Sequence, residues 1–481
     1  MRRGPGRVPS TARQRRSVAT AVVVLASAAL AVADPVDVGA ASHGEGVWEQ
    51  TTPLSVPRYD HTSTLIGAGK VLVAGGRTQG TSPVELPATA EVFDARTERW
   101  LPTGPMTDAR WSHTATVLPD GRVLVAGGFG SPFTVTASGS GSNSQPVLDT
   151  AEIFDPRTGR WSRTASMGTR RALHVAALLP NGKVLVGGGR TCNQPPPAAC
   201  NFTFVTSTAE LYDPATGTWS PTGPLTAPRH TTSPAVLANG TVLVPAGFVG
   251  GGAPVATADV YDPATGTSTP TGNLNVARSR QGAMVLHDGS VLVAGGFATP
   301  TSELYSPATR TWSPTADIPL PPGANRRFNH AFAVLPNGKA LVAGGATFPP
   351  SSITRNADLY DPATRTWVSA GDMHQAHGSS SSLSNSHPAV VLGSNPWRFE
   401  ARPEACAPNC GKALVAGDNP TGAVELYTPS CPSVLPRPPQ QLWCVRDGGP
   451  ASGRPGAPGT PGEAGPPEWL GSEASADRPR D

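Results

Sequence analysis

The sequence predicts an all-β protein assembled from seven copies of one four-stranded unit. Two observations carry this. An apolar run ending in two glycines recurs at 71–76, 123–128, 184–189, 242–247, 291–296 and 340–345, with a weak seventh copy at 413–418. The copies lie 49 to 73 residues apart, and a period near fifty with variable insertions marks a propeller or a solenoid.

Each unit reads as four short strands. The first ends at Asp120-Gly121, Asn181-Gly182, Asn239-Gly240, Asp288-Gly289 or Asn337-Gly338. These pairs favour a two-residue type I′ hairpin, which needs positive φ at both positions. The second is the Val-Leu-Val run, apolar on both sides and so expected to be buried on both faces. The third is Ala-Glu-x-(Phe/Tyr)-Asp, as at Ala90–Asp94, Ala151–Asp155 and Ala209–Asp213. Asp-Pro-x-Thr-Gly makes the following turn. The fourth carries Trp100, Trp161, Trp219, Trp312 or Trp367, with Ser268 in its place once.

The diglycine, the downstream aromatic and the outer-strand Trp, repeated in phase from about Val47 to Tyr427, make the chain resemble the Kelch-repeat family. The resemblance implies a β-propeller with one four-stranded sheet per blade. The seventh unit has no Trp after it, while an orphan Trp48 precedes the first. A propeller must hide its terminal strand edges, so the segment around Trp48 is expected to form the outer strand of blade seven. The fold expected is therefore a seven-bladed Kelch-type β-propeller over residues 47–428, closed by an N-terminal strand.

The flanks read differently. Arg2, Arg3, Arg7, Arg13, Arg15 and Arg16 precede an uncharged run at 18–30 and a small-residue cleavage site at 31–33. Residues 1–33 thus read as a secretion signal, followed by a linker at 34–46. The apolar run is shorter than the roughly 20 residues a membrane span requires. Residues 429–444 read as a Pro-rich segment tied down by a disulfide, and 445–481 as a disordered Gly/Pro-rich tail. The six cysteines fall in three local pairs, Cys192 with Cys200, Cys406 with Cys410 and Cys431 with Cys444. Proximity favours these among the possible disulfides, and no metal-ligand spacing competes. Gly and Pro number 54 and 53 of 481 residues, and the formal net charge of +3 gives no nucleic-acid footprint. The expectation is a secreted or extracytoplasmic monomer without a membrane span.

Candidate binding residues follow from loop geometry. The long insertions at 130–149, 191–208 and 248–257 share a face with the loops that enter each blade. Those loops carry Arg58, Arg110, Arg171, Arg229, Arg278 and Arg327, four of them in Arg-x-x-His with His61, His113, His174 and His330; in blade seven Ser384 precedes His387. Guanidinium forks suit carboxylate, sulfate or phosphate, so the six arginines are expected to ring a ligand site. The competing reading pairs them with the in-phase acids Glu91, Glu152, Glu210, Asp259, Glu303 and Asp358. Arg and His three apart on a strand also point to opposite faces. Galactose oxidase-like copper radical oxidases share the Kelch propeller. Their ligand set, two His, a Tyr and a Tyr cross-linked to Cys, is not found here. The sequence therefore predicts a binding module for an acidic or glycan-like ligand or a protein partner, with no cofactor. A secreted oxidase or other carbohydrate-active enzyme is the alternative.

Overall fold

The computed structural model describes residues 45–67, 69–78, 87–130, 146–192, 204–250, 252–379, 389–392 and 411–430. All described strands belong to one unit, Ser42–Asp481. Among the described residues no helix is long and apolar enough to cross a membrane. The leader read at 1–33, the tail at 445–481, and Cys200, Cys406, Cys410, Cys431 and Cys444 lie outside the described residues.

The described residues form seven four-stranded antiparallel sheets. Blade one runs through Thr62–Leu65, Lys70–Ala74, Ala90–Asp94 and Arg99–Pro102 from inside to outside, and the next five repeat that order. The inner strands are neighbours in sequence order, and that of blade seven, Val390–Val391, also meets that of blade one. The ring is thereby closed. Blade seven takes its outer strand from the N-terminus: Gly46–Thr51 pairs antiparallel with Val424–Pro429, Trp48 opposite Tyr427. The orphan Trp therefore closes the propeller, as the repeat count predicts.

Each hydrophobic cluster at a blade interface joins two successive blades, and seven such clusters serve the seven interfaces. This explains the second strand. Its residues alternate between two interfaces, so Val123–Ala126 and its counterparts are buried at every position. The outer-strand Trp stacks on the aromatic of the third strand, with ring centroids 5.0–5.2 Å apart in six blades. Its indole also reaches backwards: Trp48, Trp100, Trp219 and Trp367 donate Nε1–H to carbonyls of the preceding blade at 2.8–3.0 Å. In blade four Ser268 faces Tyr261 instead.

The hairpin expectation needs correction. Gly121, Gly182, Gly240, Gly289 and Gly338 have φ of 81–86°, while the Asp or Asn before each stays out of the left-handed region. Gly121 N–H bonds to Leu118 O and Leu118 N–H to Arg122 O. This is a three-residue loop, a type I turn closed by a left-handed glycine, and not type I′. The cause lies one residue earlier. Pro119, Pro180 and Pro336 fix the φ that a type I turn needs at its first corner, and the Asp or Asn carboxamide or carboxylate accepts the N–H two residues on.

Candidate functional site

In blades one to five the entry begins with an apolar residue that plugs an interface cluster, Leu54, Met106, Met167, Leu225 or Leu274, and four residues later carries an arginine; in blade six Ile318 precedes Arg327 by nine. Arg58 Nη1 donates to Gly75 O and to Thr89 O, each at 2.9 Å. Its Nη2 donates to Thr89 Oγ1 at 3.2 Å and to Glu91 Oε1 at 2.9 Å. Arg110, Arg171, Arg229 and Arg278 repeat this on Glu152, Glu210, Asp259 and Glu303. Arg327 reaches Asp358 at 2.5 Å and Gly344 O at 2.6 Å. Most of the acids also accept backbone N–H bonds from the entry loop, as Glu152 does from Thr107 and Asp108.

The six arginines are therefore staples. All are 0–1% exposed. Burial pulls Arg58, Arg110, Arg171, Arg229 and Arg278 below the usual arginine range, against the opposing pull of their acids. The expectation that Arg58, Arg110, Arg171, Arg229, Arg278 and Arg327 anchor a ligand is corrected on this geometry: the six are buried and their terminal nitrogens bond to carbonyls, hydroxyls and carboxylates of their own blades, while the Nε groups of Arg110, Arg171 and Arg229 are enclosed without a hydrogen bond.

The arginine carbonyls complete the device. Gly76 N–H donates to Arg110 O, Gly128 to Arg171 O, Gly189 to Arg229 O, Gly247 to Arg278 O and Gly296 to Arg327 O. The diglycine is thus an inter-blade joint. A Cβ at Gly127 would meet Arg171 O at 2.3 Å, at a φ of +63°, a conformation and approach that favour glycine; blade four alone places an alanine here, Ala246 at a φ of 58°.

Blade seven departs from the predicted pattern. Ser384 and His387 lie outside the described residues. His377 holds the staple position: Gly345 N–H donates to His377 O at 2.6 Å, its Nδ1 lies 2.7 Å from Gly417 O and its Nε2 3.2 Å from Glu425 Oε1. The signal that finds it is Met373, four residues earlier, in the place of Met106 and Met167. Asp418 N–H donates to Arg58 O and closes the circle of seven joints.

The histidines point the other way, as the strand parity predicts. His61 Nε2 lies 3.0 Å from Ala416 O, His113 Nε2 3.1 Å from Thr62 Oγ1 and His174 Nε2 2.9 Å from Thr114 Oγ1, each on the preceding blade. For His330 that neighbour is Gly282, which has no hydroxyl, and both its ring nitrogens are buried without a hydrogen bond. Burial, with Arg171 and Arg327 as neighbours, pushes His174 and His330 down to about 3. Among the described residues no group of three or more His, Cys, Asp or Glu is placed to hold a metal ion.

Cations at the mouth come from positions the sequence reading passed over. The residue after each diglycine is Arg77, Phe129, Arg190, Phe248 or Phe297 in blades one to five. Two residues after the staple stand Asp60, Ser112, Leu173, Thr231, Arg280 and Asn329, all with φ of 50–57°. Their backbones bond in series, Ser112 N–H to Asp60 O and so on to Asn329 N–H on Arg280 O, at 3.0–3.1 Å. The Arg280 guanidinium carbon lies 5.0, 4.6 and 5.5 Å from the ring centroids of Phe248, Phe297 and Phe328. Arg326 stands over Phe297 at 4.7 Å and Phe348 at 4.3 Å. Beside them opens a cavity of about 560 Å³ lined by Arg190, His230, Phe248, Arg280 and Phe297 among others, with no carboxylate among the described residues of its wall. Burial lowers Arg190, and burial together with Arg326 lowers Arg280 to about 10, which leaves Arg280 cationic at neutral pH. The insertion strand Phe204–Val205 pairs with Arg190–Thr191 at its rim. Next to it Cys192 is disulfide-bonded; the other five cysteines, and with them the three expected pairings, lie outside the described residues.

Residues 110–168, which hold one staple, one joint and one outer Trp, match the family model described as Kelch motif. The chain is a Kelch-repeat propeller. Spermatocyte protein spe-26 of Caenorhabditis elegans is 26% identical over 144 residues, 29% of this chain and 23% of that one. Kelch-like protein 15 of Danio rerio is 27% identical over 155 residues, 30% of this chain and 24% of its own length. The chain thus matches about a quarter of the length of these relatives. A fungal alcohol oxidase solved with copper superposes at a TM-score of 0.56, covering 80% of this chain and 77% of the oxidase, at 17% identity. At that identity the likeness is one of fold. The Kelch repeats suggest a protein-interaction module.

Proposed function

We propose that this Kelch propeller is an exported, monomeric binding module that holds an acidic extracellular partner, a protein or an acidic glycan, without turnover. The observation that carries the reading is a cavity lined by Arg190 and Arg280 with no carboxylate among its described wall residues, Arg280 being held on the rings of Phe248, Phe297 and Phe328 and Arg326 standing nearby over Phe297 and Phe348. Arginine on aromatic faces is held in place before a ligand arrives, and such preorganisation reduces the cost of binding. The disulfide at Cys192 and the basic, apolar leader read at 1–33 support export. This site replaces the staple ring as the ligand anchor, while the ligand chemistry expected from the sequence is retained.

The test is an array of acidic and neutral proteins and glycans, probed at low and high salt. The reading expects hits confined to acidic partners, weakened by salt and by Arg190→Glu with Arg326→Glu in a folded protein. Hits that ignore both salt and the charge reversal would sink it.

A further inference from the structure

We propose that the cavity between blades three, four and five takes a carboxylate carried on an apolar body, such as an arylalkanoate or a chain terminus ending in an aromatic residue, in preference to a sugar acid. This rests on the reading of that face as an anion-binding site and specifies what fills it. The wall has two chemistries. One is apolar: Phe204, Val205, Pro228, Phe248, Val249 and Phe297. The other is three polar side chains, Arg190, His230 and Arg280. A guanidinium only donates hydrogen bonds. Among the described residues the wall has no Asp, Glu, Asn or Gln side chain to accept from hydroxyls. A sugar would lose water around many hydroxyls and find few side-chain acceptors, and unpaired buried polar groups are costly. A carboxylate needs only donors.

The donors are in place. Arg190 makes no ion pair among the described residues, and its Nε is buried without a hydrogen bond. Arg280 is fixed by the rings of Phe248, Phe297 and Phe328. His230 Nδ1 lies 3.1 Å from Thr231 Oγ1, and its ring stacks 5.6 Å from Phe248, so it extends the apolar wall. A volume of about 560 Å³ suits a small ligand or the end of a peptide.

The experiment titrates the full chain by calorimetry with 3-phenylpropanoate, 3-phenylpropanamide, glucuronate, and a tripeptide ending in Phe with a free or amidated terminus. Phenylpropanoate or the free-acid peptide is expected to bind at least tenfold more tightly than its amide, and glucuronate at least tenfold more weakly than either acid. Binding of the peptide alone assigns the carboxylate to a chain terminus; binding of phenylpropanoate assigns it to a free acid as well. Arg190→Met and Phe297→Ala are each expected to weaken the acid tenfold, and Arg157→Met, on an exposed turn, to leave it unchanged. Equal binding of acid and amide, or tighter binding of glucuronate, overturns the inference. If the probes fail while acidic partners still bind in an Arg190-dependent way, this inference falls and the broader reading stands. If Arg190→Met alters neither, both fall.

Discussion

Replacing Arg110 by Met separates a staple from a ligand anchor. Arg110 donates to Gly127 O at 2.8 Å, Thr150 O at 3.0 Å, Thr150 Oγ1 at 3.2 Å and Glu152 Oε1 at 2.9 Å. Both side chains of the ion pair are 0% exposed. Methionine fills much of the same volume and offers no donor, so Glu152 is left buried with only the Thr107 and Asp108 N–H groups, at 2.7 and 3.0 Å. Removing one partner of a buried pair costs about 3–5 kcal/mol. Glu152→Gln removes the stranded charge and keeps an oxygen for those two N–H groups. The double variant Arg110→Met/Glu152→Gln is then expected to be more stable than the sum of the single losses by about 1–3 kcal/mol. Urea denaturation of the four proteins, followed by tryptophan fluorescence, measures both quantities. A single-variant loss below about 0.5 kcal/mol, the range of an ordinary surface change, together with loss of acidic-partner binding, would show that Arg110 serves the ligand and not the blade.

Three further outcomes follow from the same geometry. Gly76→Ala places a Cβ 2.7 Å from Tyr59 O at a φ of +97° and is expected to cost well over the ~1 kcal/mol of Gly121→Ala, whose φ is +86° but whose Cβ would meet nothing within 4 Å; paired melting curves decide. Trp48→Ala removes the stack on Tyr427 and the bond to Ala370 O, and is expected to lower stability by about 3–5 kcal/mol; an unchanged melting temperature would refute the closure. His174, His230 and His330 are held neutral down to about 3, against 6.5 for an ordinary His. Between those values the unfolded chain binds more protons, so stability falls as pH drops from about 6.5 towards 3. His330→Leu, at a ring with no hydrogen bonds, is expected to reduce that loss, read as a shallower dependence of the urea midpoint on pH.

What the sequence revealed and what it withheld divide along one line. Features that depend on local pattern were legible: the diglycine strand, the Asp turn, the Trp opposite Phe or Tyr, and the orphan Trp48 that finds Tyr427. The hairpin type was misread because Asn-Gly was weighed without the Pro119 before it. The arginine ring was located correctly on the chain but assigned to the wrong neighbour. A period shows that Arg110 and Glu152 recur in phase; it does not show that both are enclosed between blades. His377 stands outside the Arg-x-x-His pattern, and what it shares with blades one to five is the four-residue spacing from the apolar plug, here Met373, to the staple. The cavity was invisible for another reason. Arg190, Phe248 and Arg280 come from three blades, and only ring closure brings blades three, four and five to one opening.

The serial backbone bonds at the mouth have a consequence for how much chemical variety one frame admits. Asp60, Ser112, Leu173, Thr231, Arg280 and Asn329 share one backbone shape, and the carbonyl-to-amide links that hold it run through main-chain atoms alone. Six chemically different side chains therefore sit on equivalent mounts. These six side chains are 0–8% exposed, so one main-chain frame encloses different packing and polar contacts from blade to blade. Acidic, hydroxylic, aliphatic, cationic and amide groups have each been accommodated there within a single chain. The frame behind the mouth thus tolerates a different chemistry in each of these blades without a change of backbone.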